Sequence, residues 1–232
     1  MERLIPGKEE EILFRTVALN DALPQDNGLA FAQIEAELRN LLEKTERVLD
    51  ESAAMLSAPG KSAFSRLIKR ESLNDYLDER IGKAILELSL RKLGQKEMSR
   101  AVLVVRMSNA LEQLADFGAA VGYVANAMEY QNQKISEEAL GEIQDLHVRL
   151  RDDIRLVRRN FPLVSEEDVV SMRQNEISMR ERINMAYSRH LGRFYKGKAY
   201  SGNAFVKAMS RMDSAHAKLR EVRKLCEMYA KL

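Results

Sequence analysis

The chain has 232 residues, 45% of them apolar and 31% charged, with a formal charge of +2, one cysteine and three histidines. That length and apolar fraction supply a core without staples, the single Cys226 excludes an internal disulfide and any two-cysteine metal or redox site, and the small net charge gives no argument for nucleic acid as a partner. No apolar run reaches the roughly 18 residues needed to cross a bilayer, and an N-terminus with Glu2 and then Glu9, Glu10 and Glu11 lacks the basic and apolar regions of a secretory signal, so the expectation is a soluble chain in a reducing, cytosolic compartment.

Residues 1–27 contain Pro6-Gly7, Pro24 and the start of Asp26-Asn27-Gly28, a set of breakers that reads as an extended lead-in or linker. From Leu29 to Leu56 the apolar positions Phe31, Ile34, Leu38, Leu41, Leu42, Thr45, Val48, Leu49 and Met55 follow three-four spacing and predict a first helix, closed by Ala58-Pro59-Gly60. Ser62 is the expected cap of a second helix running to Leu93 and ended by Gly94, with Leu67, Leu77, Ile81, Ile85 and Leu88 on one face. Asn74 and Asp78 share that face, and Glu71 and Asp75 lie at its edge.

The third predicted helix, Met98 to Met128, is the segment around which the chain is organised. Leu103, Ala110, Leu114, Phe117, Val121, Val124 and Met128 form its core stripe. The adjoining band, Met98, Val102, Val105, Asn109, Glu112, Asp116, Ala120, Tyr123 and Ala127, sets polar groups among apolar ones. Carboxylates drawn into an apolar face need a partner or an ion, and Glu112 and Asp116 stand one turn apart. On the opposite flank Ala115, Gly118, Ala119 and Gly122 are small enough to admit a close neighbour, and two mid-helix glycines, each costing about 1 kcal/mol, require such a packing reason.

Ser136-Glu137-Glu138 caps a fourth helix through Leu140, Ile143, Leu146, Leu150, Ile154 and Val157. It carries His147, read as a satisfied polar residue, and the basic set Arg149, Arg151, Arg155, Arg158 and Arg159. Ser165-Glu166-Glu167-Asp168 opens a fifth helix in the manner of a capping box, and a sixth begins near Asn203. Helices one to three and four to six repeat in order and length about 105 residues apart, which predicts an all-α protein of two consecutive three-helix bundles, residues 28–132 and 133–232. In the second set the acidic pair is missing: one register places Ser210 and Ser214 there, the other Asp213 and Ala217, with Asp213 and His216 an improvised replacement at best.

Asn109-Ala110-Leu111-Glu112-Gln113-Leu114-Ala115-Asp116 resembles the N-x-L-E-R-I-G-D core of the PhoU family, whose E/D-x-x-x-D motifs line metal sites on long helical bundles. Leu4-Ile5-Pro6-Gly7, Leu19-Asn20-Asp21-Ala22-Leu23 and Leu29-Ala30-Phe31-Ala32 resemble the entry to the soluble C-terminal PhoU-like region of bacterial sodium/phosphate cotransporter proteins. Glu71-Ser72-Leu73-Asn74-Asp75-Tyr76-Leu77 is similar to the acidic segment of the family's preceding helix, except that Asn74 replaces an aliphatic residue.

The resemblance implies a divalent-metal site built from Asn109, Glu112 and Asp116, with Asp75 and Asp78 both candidates to face them. It also implies an accessory or regulatory domain that modulates phosphate uptake, partnered by a membrane phosphate transporter fused to it. A free-standing phosphate-signalling adaptor of the same fold, working on a transporter or a sensor kinase, and a homodimer are the alternatives it leaves open. Hard oxygen ligands suit Mg²⁺, Ca²⁺ or Mn²⁺. No nucleophile-and-base set, phosphate-cradling glycine loop or His-Glu zinc motif is present, so the expected role is not enzymatic. A ferritin-like metalloenzyme, the competing class, needs Glu-x-x-His ligands that occur nowhere in the chain. Residues 1–132 carry 17 Lys and Arg against 21 Asp and Glu, and residues 133–232 carry 20 against 14. That asymmetry predicts that the basic half faces an anionic membrane surface at the inner face of the cell membrane.

Overall fold

A computed structural model describes residues 12–20, 22–197 and 202–232. They form six α-helices and no strand: α1 (Asn27–Ser57), α2 (Lys61–Ser89), α3 (Gln95–Tyr130), α4 (Glu137–Asn160), α5 (Glu166–Tyr195) and α6 (Gly202–Tyr229). Three starts follow directly from side-chain chemistry: Asp26 accepts from the N–H of Leu29, Ser136 from that of Ala139, and Ser165 from that of Asp168.

Two boundaries differ from the expectation. Gly60, in extended backbone, caps α2, and Ser62 lies exposed inside its first turn. Gly94 does not end α2, which stops at Ser89; it opens α3 by donating its N–H to the Glu97 carboxylate at 2.7 Å, so α3 gains three residues at its start.

The helices α1, α2 and α3 pack on one another, as do α4, α5 and α6, and the α3–α6 and α1–α4 seams join the two sets. The α3–α6 seam is apolar, with Cys226 fully buried against Met107 and its thiol pushed up to about 12 by that burial, so it is inert as a nucleophile. At the end of the seam the Arg100 guanidinium lies 4.5 Å from the Phe31 ring centroid and 5.8 Å from that of Tyr229, and its Nε donates to Glu35 at 2.7 Å. The α1–α4 seam is electrostatic. Arg155 and Arg158 both reach Glu46, at 3.5 and 2.9 Å, and His147 Nε2 meets Asp50 at 2.9 Å. Burial works to raise the Asp50 pKa, but His147, Arg151 and Arg155 outweigh it and hold the carboxyl below its ordinary range. With Arg159 on Asp168 and Arg149 on Asp145, much of the basic set expected to face lipid is engaged within the molecule.

The lead-in is not a free linker over its described part; residues 1–11 and Asp21, which include Leu4-Ile5-Pro6-Gly7, lie outside the described residues. The N–H groups of Val17, Ala18 and Leu19 all donate to Glu37 Oε2, at 2.8, 2.7 and 3.3 Å, while Asn40 donates to Oε1. Leu19 and Leu23 enter the core, the Phe14 ring meets Tyr76 edge to face, and Arg91 donates to the carbonyls of Leu23, Pro24 and Gln25. Proline and glycine there deny a helix without denying packing.

Gly118 and Gly122 have the reason their position demanded. A Cβ at Gly118 would stand 2.9 Å from Leu49 Cδ2 and 3.2 Å from Val48 Cγ1, and one at Gly122 would overlap Leu67 Cδ2. Both α1 and α2 therefore approach α3 closely enough to press leucine side chains onto its bare backbone. Gly122→Val should lower stability by about 1–3 kcal/mol, read as a shifted urea midpoint with unchanged slope.

Candidate metal centre

Where α2 packs on α3, the register is fixed by a polar contact inside the core. Asn74 is fully buried; its Nδ2 donates to the Arg70 carbonyl at 2.8 Å, and its Oδ1 lies 2.9 Å from Thr45 Oγ1, which is also 3.3 Å from the carbonyl of Leu111. Asn74 thus belongs to the α1–α2–α3 core, and Thr45 is the partner that makes a polar residue tolerable there. With Asn74 pointing inward, Glu71, Asp75 and Asp78 fall on the side of α2 that borders the outer face of α3.

Glu71, Asp75 and Asp116 each place a carboxylate oxygen within 4.8 Å of the other two, the one such group of metal-capable side chains among the described residues. Glu112 adjoins them, one turn from Asp116 on the same face of α3. Burial first, and then the charges of Asp116, Asp75, Asp78 and Glu71, push its pKa up to about 7. Glu71 and Asp75 are raised by the same combination of desolvation and like charge, and Asp116 by burial. No lysine or arginine contributes to any of these four shifts, and Arg70, on the neighbouring turn, reaches across to Glu51 at 2.7 Å.

Asp78 and Asn109 are joined to each other at the edge of this group. Asn109 Nδ2 lies 3.0 and 3.1 Å from the two Asp78 oxygens, and Ser108 Oγ donates to one of them at 2.6 Å. Both Asp78 oxygens are therefore already satisfied, and the pair pins α2 to α3 beside the cluster. Glu71, at the margin of the face read from the sequence, is central here. The band of α3 that carries Glu112 and Asp116 is also more open than an apolar stripe would be: Met98, Val102 and Tyr123 are 48, 59 and 54% exposed, because α1, α2 and α6 cover the other faces of α3.

Four mutually repelling carboxyls, accessible from solvent and shifted by no basic group, fit a divalent cation. Their hard oxygens match Mg²⁺, Ca²⁺ or Mn²⁺, with Glu71, Asp75, Glu112 and Asp116 as its holders. The charge of such an ion would offset the burial and the like charges that raise the Glu112 pKa.

The corresponding place in the second helix set is built differently. A shift of 105 residues carries Glu71 and Asp75 onto Glu176 and Arg180. Glu176 is met by Arg220 at 3.0 Å, Arg223 at 3.4 Å and Arg180 at 3.8 Å. Ser214 donates to the Ser210 carbonyl of its own helix, and the buried His216 has its pKa lowered chiefly by desolvation. Protein cations stand here where the first set gathers anions.

No family model matches the sequence, and no curated protein aligns with it. Six long helices carrying a solvent-facing carboxylate group define an all-helical scaffold with an acidic face. Among solved structures the fold is that of PhoU. The crystal structure of PhoU from Pseudomonas aeruginosa superposes with a TM-score of 0.81 over 89% of this chain and 99% of that one, at 10% identity. The phosphate transport system regulatory protein PhoU from Streptococcus pneumoniae does so with a TM-score of 0.77 over 89% and 97%, at 12% identity. At such identities the likeness is one of fold.

Proposed function

We propose that this chain is a PhoU-like regulatory domain of phosphate transport, acting in the cytosol at the inner face of the cell membrane on a sodium-dependent phosphate transporter, with a divalent cation at the α2–α3 carboxylates as part of its working form. The observation that carries this reading is the coincidence of the PhoU fold with a group of mutually repelling carboxylates on α2 and α3. One of its structural neighbours is a phosphate transport system regulatory protein. Among the described residues no helix is long and apolar enough to cross a membrane.

A free-standing adaptor is supported equally, because the superposition with this chain covers 99 and 97% of the two PhoU chains' own lengths. The gene upstream of Met1 separates the two: a reading frame that continues into apolar segments of about 20 residues supports the fused form. The function itself is tested by uptake of radiolabelled inorganic phosphate in cells lacking the chain. Uptake should change on deletion and be restored by the wild-type chain but not by one carrying Glu112→Gln with Asp116→Asn. Uptake that is the same with and without the chain would contradict the proposal.

A further inference from the structure

Two cavities among the described residues differ in how their charges are matched. The larger, about 890 Å³, lies between α4 and α5, and its three arginines are already matched: Arg182 pairs with Asp145 at 2.8 Å, while Arg189 and Arg193 reach Glu142 at 3.7 and 2.7 Å. The smaller, about 510 Å³, lies between the last turns of α3 and the first turns of α6. Its lining contains no carboxylate among the described residues.

Asn203, Lys207 and Arg211, four residues apart, bring one polar face of α6 to this cavity. Neither Lys207 nor Arg211 has an ion-pair or hydrogen-bond partner among the described residues, in a molecule where most arginines of the second helix set are paired. From α3, Ala120 and Ala127 leave the space open with short side chains, and Ala204 extends the same apolar floor. Tyr123 stands at the rim, its ring fixed by an edge contact with Phe64 at 5.0 Å between centroids. The amides of Gln131 and Gln133 complete the wall.

Unpaired cations in a concave surface concentrate anions, and Arg and Lys together are the usual holders of a phosphate group. Pockets of roughly 300–1,000 Å³ take small organic ligands, so the volume here far exceeds the need of inorganic phosphate alone. The geometry points to a site for an organic phosphate of nucleotide size, with its phosphate at Lys207 and Arg211, its ring system on the alanine floor against Tyr123, and its polar edge toward the two glutamines. Aromatic side chains stack on bases without demanding a particular one, so selectivity among bases falls to the amides. This site is separate from the α2–α3 carboxylates and goes beyond the regulatory reading.

The experiment is calorimetric titration of the full chain with AMP, adenosine and inorganic phosphate, without divalent metal. AMP should bind with a Kd below about 1 mM, and adenosine and inorganic phosphate each at least about tenfold more weakly. Lys207→Gln with Arg211→Gln should weaken AMP by at least about tenfold, and Ala127→Leu, which fills the floor and keeps both cations, should do the same. Both variants should titrate divalent cations as the wild type does, which separates a lost pocket from a lost fold. Absence of AMP binding, AMP binding indifferent to both variants, or inorganic phosphate bound as tightly as AMP would overturn the site.

Discussion

Replacing Glu37 by Ala is expected to loosen the N-terminal strap and destabilise the whole bundle by about 3 kcal/mol, because three backbone N–H groups lose their common acceptor. Glu37 is fully buried, and its carboxylate gathers the N–H groups of Val17, Ala18 and Leu19 while it accepts from Asn40. Those bonds hold Leu19 and Leu23 in the core, so the apolar contacts of the strap depend on them. For a chain of this size the melting temperature should fall by about 6–12 °C. Amide exchange at residues 17–19 should accelerate more than exchange in α3. Glu37→Gln, which keeps one acceptor oxygen, should recover part of the loss; if Glu37→Ala melts like the wild type, the strap is held by its leucines alone.

The second large effect is a pH dependence that a metal should reverse. The folded-state pKa of Glu112 is raised from its ordinary 4.5 to about 7. A carboxyl raised in this way contributes stability that is complete below its unfolded value and is lost as pH rises through the folded value. Glu71, Asp75 and Asp116 are shifted in the same direction. These carboxyls should therefore make the metal-free chain more stable near pH 5 than near pH 8, against the opposing contribution of His216, whose lowered pKa favours the higher pH. A divalent cation binds the deprotonated group, so at pH 8 a concentration of about 100 times its Kd should restore about 2.7 kcal/mol. Asp153, buried on α4 and also raised to about 7 by desolvation, adds to the pH slope without answering to metal. Asp153→Asn should flatten part of the slope and leave the metal response intact, whereas Glu112→Gln should flatten another part and remove much of that response. A stability that rises from pH 5 to pH 8 without metal would contradict the assignment.

Much of the fold can be read from the chain because its signals are local. The caps at Ser136 and Ser165 act within three residues, and Gly118 and Gly122 announce a close approach by the absence of side chains. The pairing of Glu112 with Asp116 follows from helical periodicity alone. What escaped depends on partners distant in sequence. Thr45 meets Asn74 across 29 residues, Arg158 meets Glu46 across 112, and the strap meets Glu37 across about 20. In each case the residue type is compatible with several environments, and only the packing selects one.

The same limit explains the site. Glu71 and Asp75 are acidic on any reading, but which of Glu71, Asp75 and Asp78 faces Asp116 depends on the rotation of α2, and that rotation is set by Asn74 turning inward to Thr45. Asp78 and Asn109 look like further ligands in sequence, yet each satisfies the other across the helix pair. The second set kept Glu176 but surrounds it with Arg180, Arg220 and Arg223, whose long side chains arrive from two helices.

Whether the α2–α3 carboxylates hold a cation is tested most directly by calorimetric titration of the metal-free chain with Mn²⁺ and Mg²⁺ near pH 8. The expected result is saturable binding by the wild type that is lost when Glu112→Gln is combined with Asp116→Asn and retained when Glu176→Gln is made in the second helix set. Divalent-cation binding that is unchanged in the Glu112 and Asp116 double variant would contradict it.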